Sequence, residues 1–479
     1  MNFLWYDLET FGRDPRRSRI AQFAALRTDE DLREIEAPVS LFCKPAGDLL
    51  PSPLAALVTG ISPQRAEREG LVEAELFARI AELMAVPGTC SLGYNSLRFD
   101  EEFLRFGLYR NFFDPYEREW RHGNRRWDLL DVLRLAHALR PEGLVWPKRE
   151  DGHTSFRLED LAAANGVREG MAHEALSDVR ALVALARRLR EAQPRLWDYA
   201  LTLRDKHTVL ALCDVAGHTP LLHVSSRFPA ERRHAALVAP LTFHPALPGR
   251  VLAYDLDTDP RHFEALDETE LATRLYTPRS ALPEGQPRLP LKAIHANRCP
   301  VLLPLAHVRP AELAALGLDA RLAAERAAWL STHPGFVARL VDVMAAERPF
   351  PPGDADGALY DGFPPEADKR LFPRIRSAAP ADLPGLATRL TDPRYRELLF
   401  RYQARNWPES LDPAQREAWD AWRRERFADP EGQEGSLAAF RSELAEARAR
   451  AATAEAQALL DALEDWTRAR CAEVGLVPG

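Results

Sequence analysis

A chain of 479 residues, 46% of them hydrophobic and 28% charged, has the apolar mass for about three domains and the composition of a soluble globular protein. Its formal net charge of −8 excludes a protein that coats nucleic acid through bulk positive charge, but leaves room for a local basic groove. The five cysteines are scattered without a Cys-x-x-Cys pair, which predicts reduced thiols in a cytoplasmic setting rather than disulfides or a zinc site. The N-terminus enters a strand at once and no apolar run reaches membrane-spanning length, so neither a signal peptide nor a membrane segment is expected.

The first strand, residues 3–6, ends by presenting Asp7 and Glu9. Residues two apart on a strand share a face, so the two carboxylates repel unless a cation lies between them. Hard oxygen ligands suit Mg²⁺ or Mn²⁺, although a lone Asp-x-Glu also fits a solvated strand end. Further strands are expected at 20–26 and 38–43, a helix at 73–84, and a short apolar run at 90–94. Helices follow at 100–108, 129–138 and 177–190, which together predict an α/β fold with a mixed sheet flanked by helices. Asp100 opens the first of these helices and alone could be a simple N-cap. Arg157 either holds a phosphate or pairs with Glu159. His173 meets Asp178 only if it lies on the loop before the last helix, because positions five apart on a helix diverge by about 140°.

From about 200 to 345, short β-like runs recur at 208–215, 221–224, 237–243, 251–256 and 289–295, with a helical insert at 309–330. Three prolines and a glycine at 348–353 mark the next boundary, and residues 443–466 near the end of the chain are strongly helical.

Four acidic side chains and one histidine are the parts of a two-metal phosphodiester hydrolase, with a neutral histidine taking a proton from water. The pattern Asp7-x-Glu9, Asn95-x-x-x-Phe99-Asp100 and His173 five before Asp178 resembles the DEDD superfamily of 3′→5′ exonucleases in its histidine-containing branch. Segments such as AQFAALRTD, YRNFFDPY, SFRLEDL, NRCPVL and ARNWP narrow the resemblance to the bacterial exonuclease I family across nearly the whole chain. Trp5 and Leu8 depart from the pattern expected beside the acidic pair, but neither supplies chemistry.

The resemblance implies a ribonuclease H-like nuclease domain at 1–196, a small SH3-like β domain at 197–347 and a helical domain at 348–479. It implies Asp7, Glu9 and Asp178 as ligands of two Mg²⁺ (or Mn²⁺) ions, Asp100 as the further acidic member, His173 as general base, and Arg157 near the scissile phosphate. The activity it implies is processive 3′→5′ release of 5′-mononucleotides from single-stranded DNA in repair and recombination. The alternatives are an RNA- or oligonucleotide-trimming relative and a non-catalytic single-strand binder.

Residues 109–127 interleave six aromatics with five arginines, a pattern suited to stacking bases and pairing phosphates. Tyr116 and Trp120 are strand candidates here, while Phe112 and Phe113 are core candidates and Glu117 and Glu119 can neutralise neighbouring arginines. Arg105 and Arg134 are further backbone contacts by motif position, with Asp128 and Asp131 as rivals to Asp100 and Asp128 also a helix cap. Lys292 with His295, and Tyr360 with Phe363, can close a groove over the strand or belong to solvated loops. A monomer is expected, with the acidic C-terminal tail of single-stranded DNA-binding protein docking near Arg140 and Tyr199.

Overall fold

The computed structural model describes residues 1–168, 174–346 and 353–476. Contacts divide the chain into two units: Met1–Arg125 with Glu169–Ala181 and Pro351–Gly479, and Arg126–Arg168 with Leu182–Phe350.

In the first unit, strands β1 (Asn2–Thr10), β2 (Ile20–Thr28), β3 (Val39–Phe42) and β4 (Thr89–Gly93) lie in the order β3-β2-β1-β4. β1 runs antiparallel to β2, with Phe3 opposite Thr28 and Glu9 opposite Gln22, and parallel to β4, with Trp5 opposite Leu92. Strand alternation sends Leu4, Tyr6 and Leu8 into a core with Phe23, Phe77, Ile80, Phe103 and Leu104. The opposite set, Trp5, Asp7 and Glu9, faces the other side, where the Trp5 indole donates to Thr28 Oγ1 at 2.9 Å. The mixed sheet and its helices Glu73–Met84 and Asp100–Arg110 match the expected fold class. Two short helices, Pro53–Thr59 and Pro63–Glu69, were not expected. Their signal is a Ser-Pro step, with Ser52 and Ser62 each accepting a backbone N–H and proline at the first helical position.

The C-terminal residues belong to this same unit. The helix expected at 443–466 is two helices, Leu437–Arg450 and Ala454–Glu473. Thr453 starts the second by accepting from Ala456 N, a cap that an Ala-rich helical pattern conceals. Helix Pro393–Asn406 delivers Arg401 and Arg405 into the interior. There Arg405 pairs with Asp48 at 2.9 Å and Asp356 at 2.5 Å, while Arg19 lies 3.5 Å from Asp48 and 3.6 Å from Glu73.

Strand β5 (Arg125–Asp128) carries the chain from the first unit into the second. The second unit holds an antiparallel sheet of β6 (Leu221–Val224), β7 (Ala235–Phe243), β8 (Arg250–Asp255), β9 (Leu291–His295) and β10 (Val301–Pro304), in the order β10-β6-β7-β8-β9. Residues 208–215 are not a strand. The segment forms helix Lys206–Leu212, because Asp205 accepts from His207 N and Thr208 N and so caps a helix start. A short apolar run does not distinguish the two states by periodicity alone, and Val209 and Cys213 still reach the sheet's core. The helical insert is two helices, Pro310–Ala315 and Ala320–Thr332, followed by Pro334–Ala345. Among the described residues, no helix is long and apolar enough to cross a membrane.

Candidate metal centre and active site

Asp7 and Glu9 leave the sheet on the same face of β1, and helix Ala175–Ala192 brings Asp178 to them in its first turn. That helix start is shaped by Glu174, whose carboxylate accepts from Ser177 N at 2.9 Å. One carboxylate oxygen from each of Asp7, Glu9 and Asp178 lies within 4.8 Å of the others. Burial pushes Asp7 up to about 8, reinforced by the charge of Asp178 and eased by the Leu8 backbone N–H. Burial likewise pushes Glu9 up to about 9, with Asp7, Asp178 and Glu174 adding to it. The neighbouring side-chain charges that act on Asp7 and Glu9 are themselves carboxylates. Three converging carboxylate oxygens are the donor set of a hard divalent ion.

Asp100 is the first residue of its helix and 5% exposed, and it lies outside the trio of converging carboxylates. Nor is it a helix cap, since that position belongs to Phe99. Its neighbour Glu101, for which no role was expected, is engaged on the core side of β1. Glu101 accepts from Tyr6 OH at 2.7 Å and pairs with Arg118 at 2.6 Å, all buried behind β1. The pairing turns Arg118, one of the five arginines of residues 109–127, inward to Glu101. The only sequence signal was an acidic run, Asp100-Glu101-Glu102, unusual beside buried aromatics. His173 lies outside the described residues.

Around helix Asp100–Arg110, Arg105 is 6% exposed, binds Glu119 through two nitrogens at 2.8 and 3.1 Å, and covers the Tyr116 ring at 5.3 Å. Tyr360 donates to Glu102 at 2.5 Å and sets its ring edgewise to Phe106. Trp120 and Phe363 are open to solvent, at 62% and 82% exposed, whereas Phe112 is fully buried. In the second unit, Arg157 is exposed and 3.4 Å from Glu159, Arg134 pairs with Asp131 at 2.8 Å, and Asp128 caps helix Leu129–Leu139. Lys292 lies over the Phe228 ring at 4.5 Å. Burial, then Arg250, Arg298 and Lys292, hold His295 down at about 4. Arg140 is engaged by Glu312, and Tyr199 OH donates to Leu302 O at 2.7 Å.

Family models match almost end to end: an exonuclease domain over residues 4–186, the exonuclease I SH3-like domain over 204–346, and the exonuclease I C-terminal domain over 353–470. Exodeoxyribonuclease I of Escherichia coli (strain K12) is 44% identical over 426 residues, covering 89% of this chain and 90% of the relative. The crystal structure of E. coli exonuclease I in complex with a dA16 oligonucleotide matches with a TM-score of 0.93 at 42% identity, over 98% of this chain and 99% of that one. The zinc-ion-bound form of the E. coli complex with single-stranded DNA matches with a TM-score of 0.92 at 42% identity and the same coverage. With all three domain families present and the acidic trio assembled, the chain belongs to the exonuclease I family and is a metal-dependent 3′→5′ exodeoxyribonuclease.

Proposed function

We propose that this chain degrades single-stranded DNA processively from its 3′ end, releasing 5′-mononucleotides, with two Mg²⁺ or Mn²⁺ ions held by Asp7, Glu9 and Asp178. The observation that carries this reading is the convergence of those three carboxylates within 4.8 Å at the end of one strand and the start of one helix. When bound, such ions supply neutralising charge on both flanking oxygens of the phosphodiester and a water of lowered pKa. The remaining work falls to the chain's own groups. His173, five residues before Asp178, takes the proton of the attacking water as a neutral imidazole. Asp100 is the further acidic member, with its position fixed by its burial at the head of its helix. Arg157, exposed and only loosely paired, offers a planar fork to phosphate oxygens.

Exposed Trp120, Tyr360 and Phe363 suit stacking with unpaired bases, with Tyr116 beneath Arg105 as a further ring. Arg105 and Arg134 already face carboxylates, so their contribution to phosphate binding is a field more than a direct bond. Lys292, Arg250 and Arg298 form a cationic cluster around His295, which stays neutral, and the cluster suits a phosphate backbone. The assigned domains, 1–196, 197–347 and 348–479, are supported by the three matched segments. The relatives solved with oligonucleotides support single-stranded DNA as substrate.

We assign the protein a monomeric, cytoplasmic role in DNA repair, to which five buried cysteines without a disulfide are suited. The acidic tail of single-stranded DNA-binding protein is its proposed partner, and at Arg140 it must compete with Glu312. The test is digestion of 5′-labelled single-stranded DNA, duplex DNA and RNA with Mg²⁺, Mn²⁺ or EDTA. Single-stranded DNA should be shortened from its 3′ end only with metal. Cleavage that survives chelation, or duplex or RNA degraded as fast as the single strand, overturns the reading.

A further inference from the structure

We infer that Glu434 is a positioning residue for the catalytic strand: its carboxylate fixes the loop that follows β1 and, through it, Glu9. The ladder between β1 and β2 slips its register between Glu9 and Thr10, then resumes at Thr10 opposite Ile20 and at Phe11 N–H donating to Arg19 O at 2.9 Å, so the backbone is irregular beside the residue whose placement matters most. Beyond it the chain turns through residues 11–18, with Thr10 Oγ1 donating to Gly12 O at 2.7 Å. The backbone N–H of Arg13 donates to both carboxylate oxygens of Glu434 at 3.0 Å, and that of Asp14 to one of them at 3.0 Å. A carboxylate receiving backbone N–H groups forms strong, directional, charge-assisted bonds.

The grip is reciprocal. Arg17 donates to Glu434 O at 2.7 Å, to Gln433 Oε1 at 2.6 Å and to Asp429 Oδ2 at 3.1 Å, while Arg426 donates to Arg17 O at 2.6 Å. Gly12 makes the approach possible, since a Cβ there would lie 2.0 Å from Glu434 Oε1 and 2.8 Å from Ser18 Oγ. A loop that starts two residues past Glu9 is thus held, at Arg13 and Asp14, by a group 421 and 420 positions later. Apolar packing would join the C-terminal region to the sheet without aiming a carboxylate at this turn.

This inference rests on the assignment of Glu9 to the ion site. Its test uses the full chain and reads the Mn²⁺ or Mg²⁺ concentration giving half-maximal hydrolysis and half-maximal thermal stabilisation. Glu434→Ala should raise both by roughly 10-fold, the scale at which groups orienting a metal ligand act. Glu434→Gln keeps an oxygen that accepts the same N–H groups and should recover most of the loss. Gly12→Ala should reproduce the defect by displacing the carboxylate, and combining it with Glu434→Ala should add little. A lowered melting temperature with wild-type metal dependence in Glu434→Ala makes the residue merely structural and overturns the inference. If that variant does not fold, wild-type metal dependence in Gly12→Ala overturns it instead. Glu9→Ala separates the two claims: unchanged metal dependence there sinks the site assignment, whereas a shift there without one at Glu434 sinks only the positioning role.

Discussion

The first unit buries carboxylates in two places, and they titrate in opposite directions. Burial pushes Asp7 to about 8 and Glu9 to about 9, and neighbouring acids add to it. Burial acts the same way on Asp48 and Asp356, but guanidinium groups override it: Arg405, Arg19 and Arg426 around the first, Arg405 and Arg401 around the second. Both are held below the usual carboxylate range. The difference is where the countercharge comes from. The ionic lattice of Arg19, Arg401 and Arg405 is completed by the fold, whereas the acidic trio has the donor set that a divalent ion would complete. The first-unit lattice holds the C-terminal region to the sheet, and the trio is the proposed seat of turnover.

Removing one charged side chain from each place separates the two roles. Asp7→Ala should lower turnover on single-stranded DNA on the order of 10³-fold or more, since a metal site contributes several kcal/mol to transition-state charge stabilisation. Strand binding, measured by fluorescence anisotropy, should persist. A variant that turns over within about 10-fold of wild type would remove Asp7 from the site. Arg405→Ala attacks the other place. It leaves Asp48 and Asp356 buried without the partner that binds both most closely, a loss of about 3–5 kcal/mol readable by urea unfolding. A cost below about 1 kcal/mol would mean that the lattice is looser than its distances imply.

The two places differed as much in legibility. The acidic trio could be read from sequence because each member sits at an element boundary with a short local signature: Asp7-x-Glu9 ending a strand, Asp178 opening a helix. The lattice could not, because Arg19, Asp48, Asp356 and Arg405 are spread over nearly 400 positions with no local period to connect them. Residues 208–215 were misread for a related reason: an apolar run of that length is compatible with strand or helix, and the Asp205 cap decides. Arg118, inside a segment rich in rings and cations, went to Glu101 because a buried acid needs a partner, a demand only the fold reveals.

Proton linkage separates the places again. Asp7 and Glu9 have folded values above their unfolded ones near 4. Without metal, the stability tied to them is fully present below pH ~4 and is lost as pH rises through about 8 and 9. Divalent ions compete with those protons, so the rise in melting temperature on adding Mg²⁺ or Mn²⁺ should grow from pH ~5 to ~9. Asp48 and Asp356, held low, contribute stability that is present above pH ~4 and lost below it. Differential scanning fluorimetry across pH, with metal or with EDTA, reads both limbs. A metal effect independent of pH would contradict the raised values of Asp7 and Glu9.

The smallest effect sharpens the comparison by holding pairing constant and changing burial. Arg448 meets two carboxylates, Asp461 at 2.8 Å and Glu464 at 2.7 Å, much as Arg405 meets Asp48 and Asp356. The Arg448 side chain is 39% exposed against 2% for Arg405. Water solvates the orphaned acids when Arg448 is removed, and screening already weakens the pair. Arg448→Ala should therefore cost no more than about 1 kcal/mol in urea unfolding, and less still in high salt. If it matched Arg405→Ala, the number of partners rather than their burial would set the strength of these ion pairs, and the contrast between the two carboxylate sets would lose its physical basis.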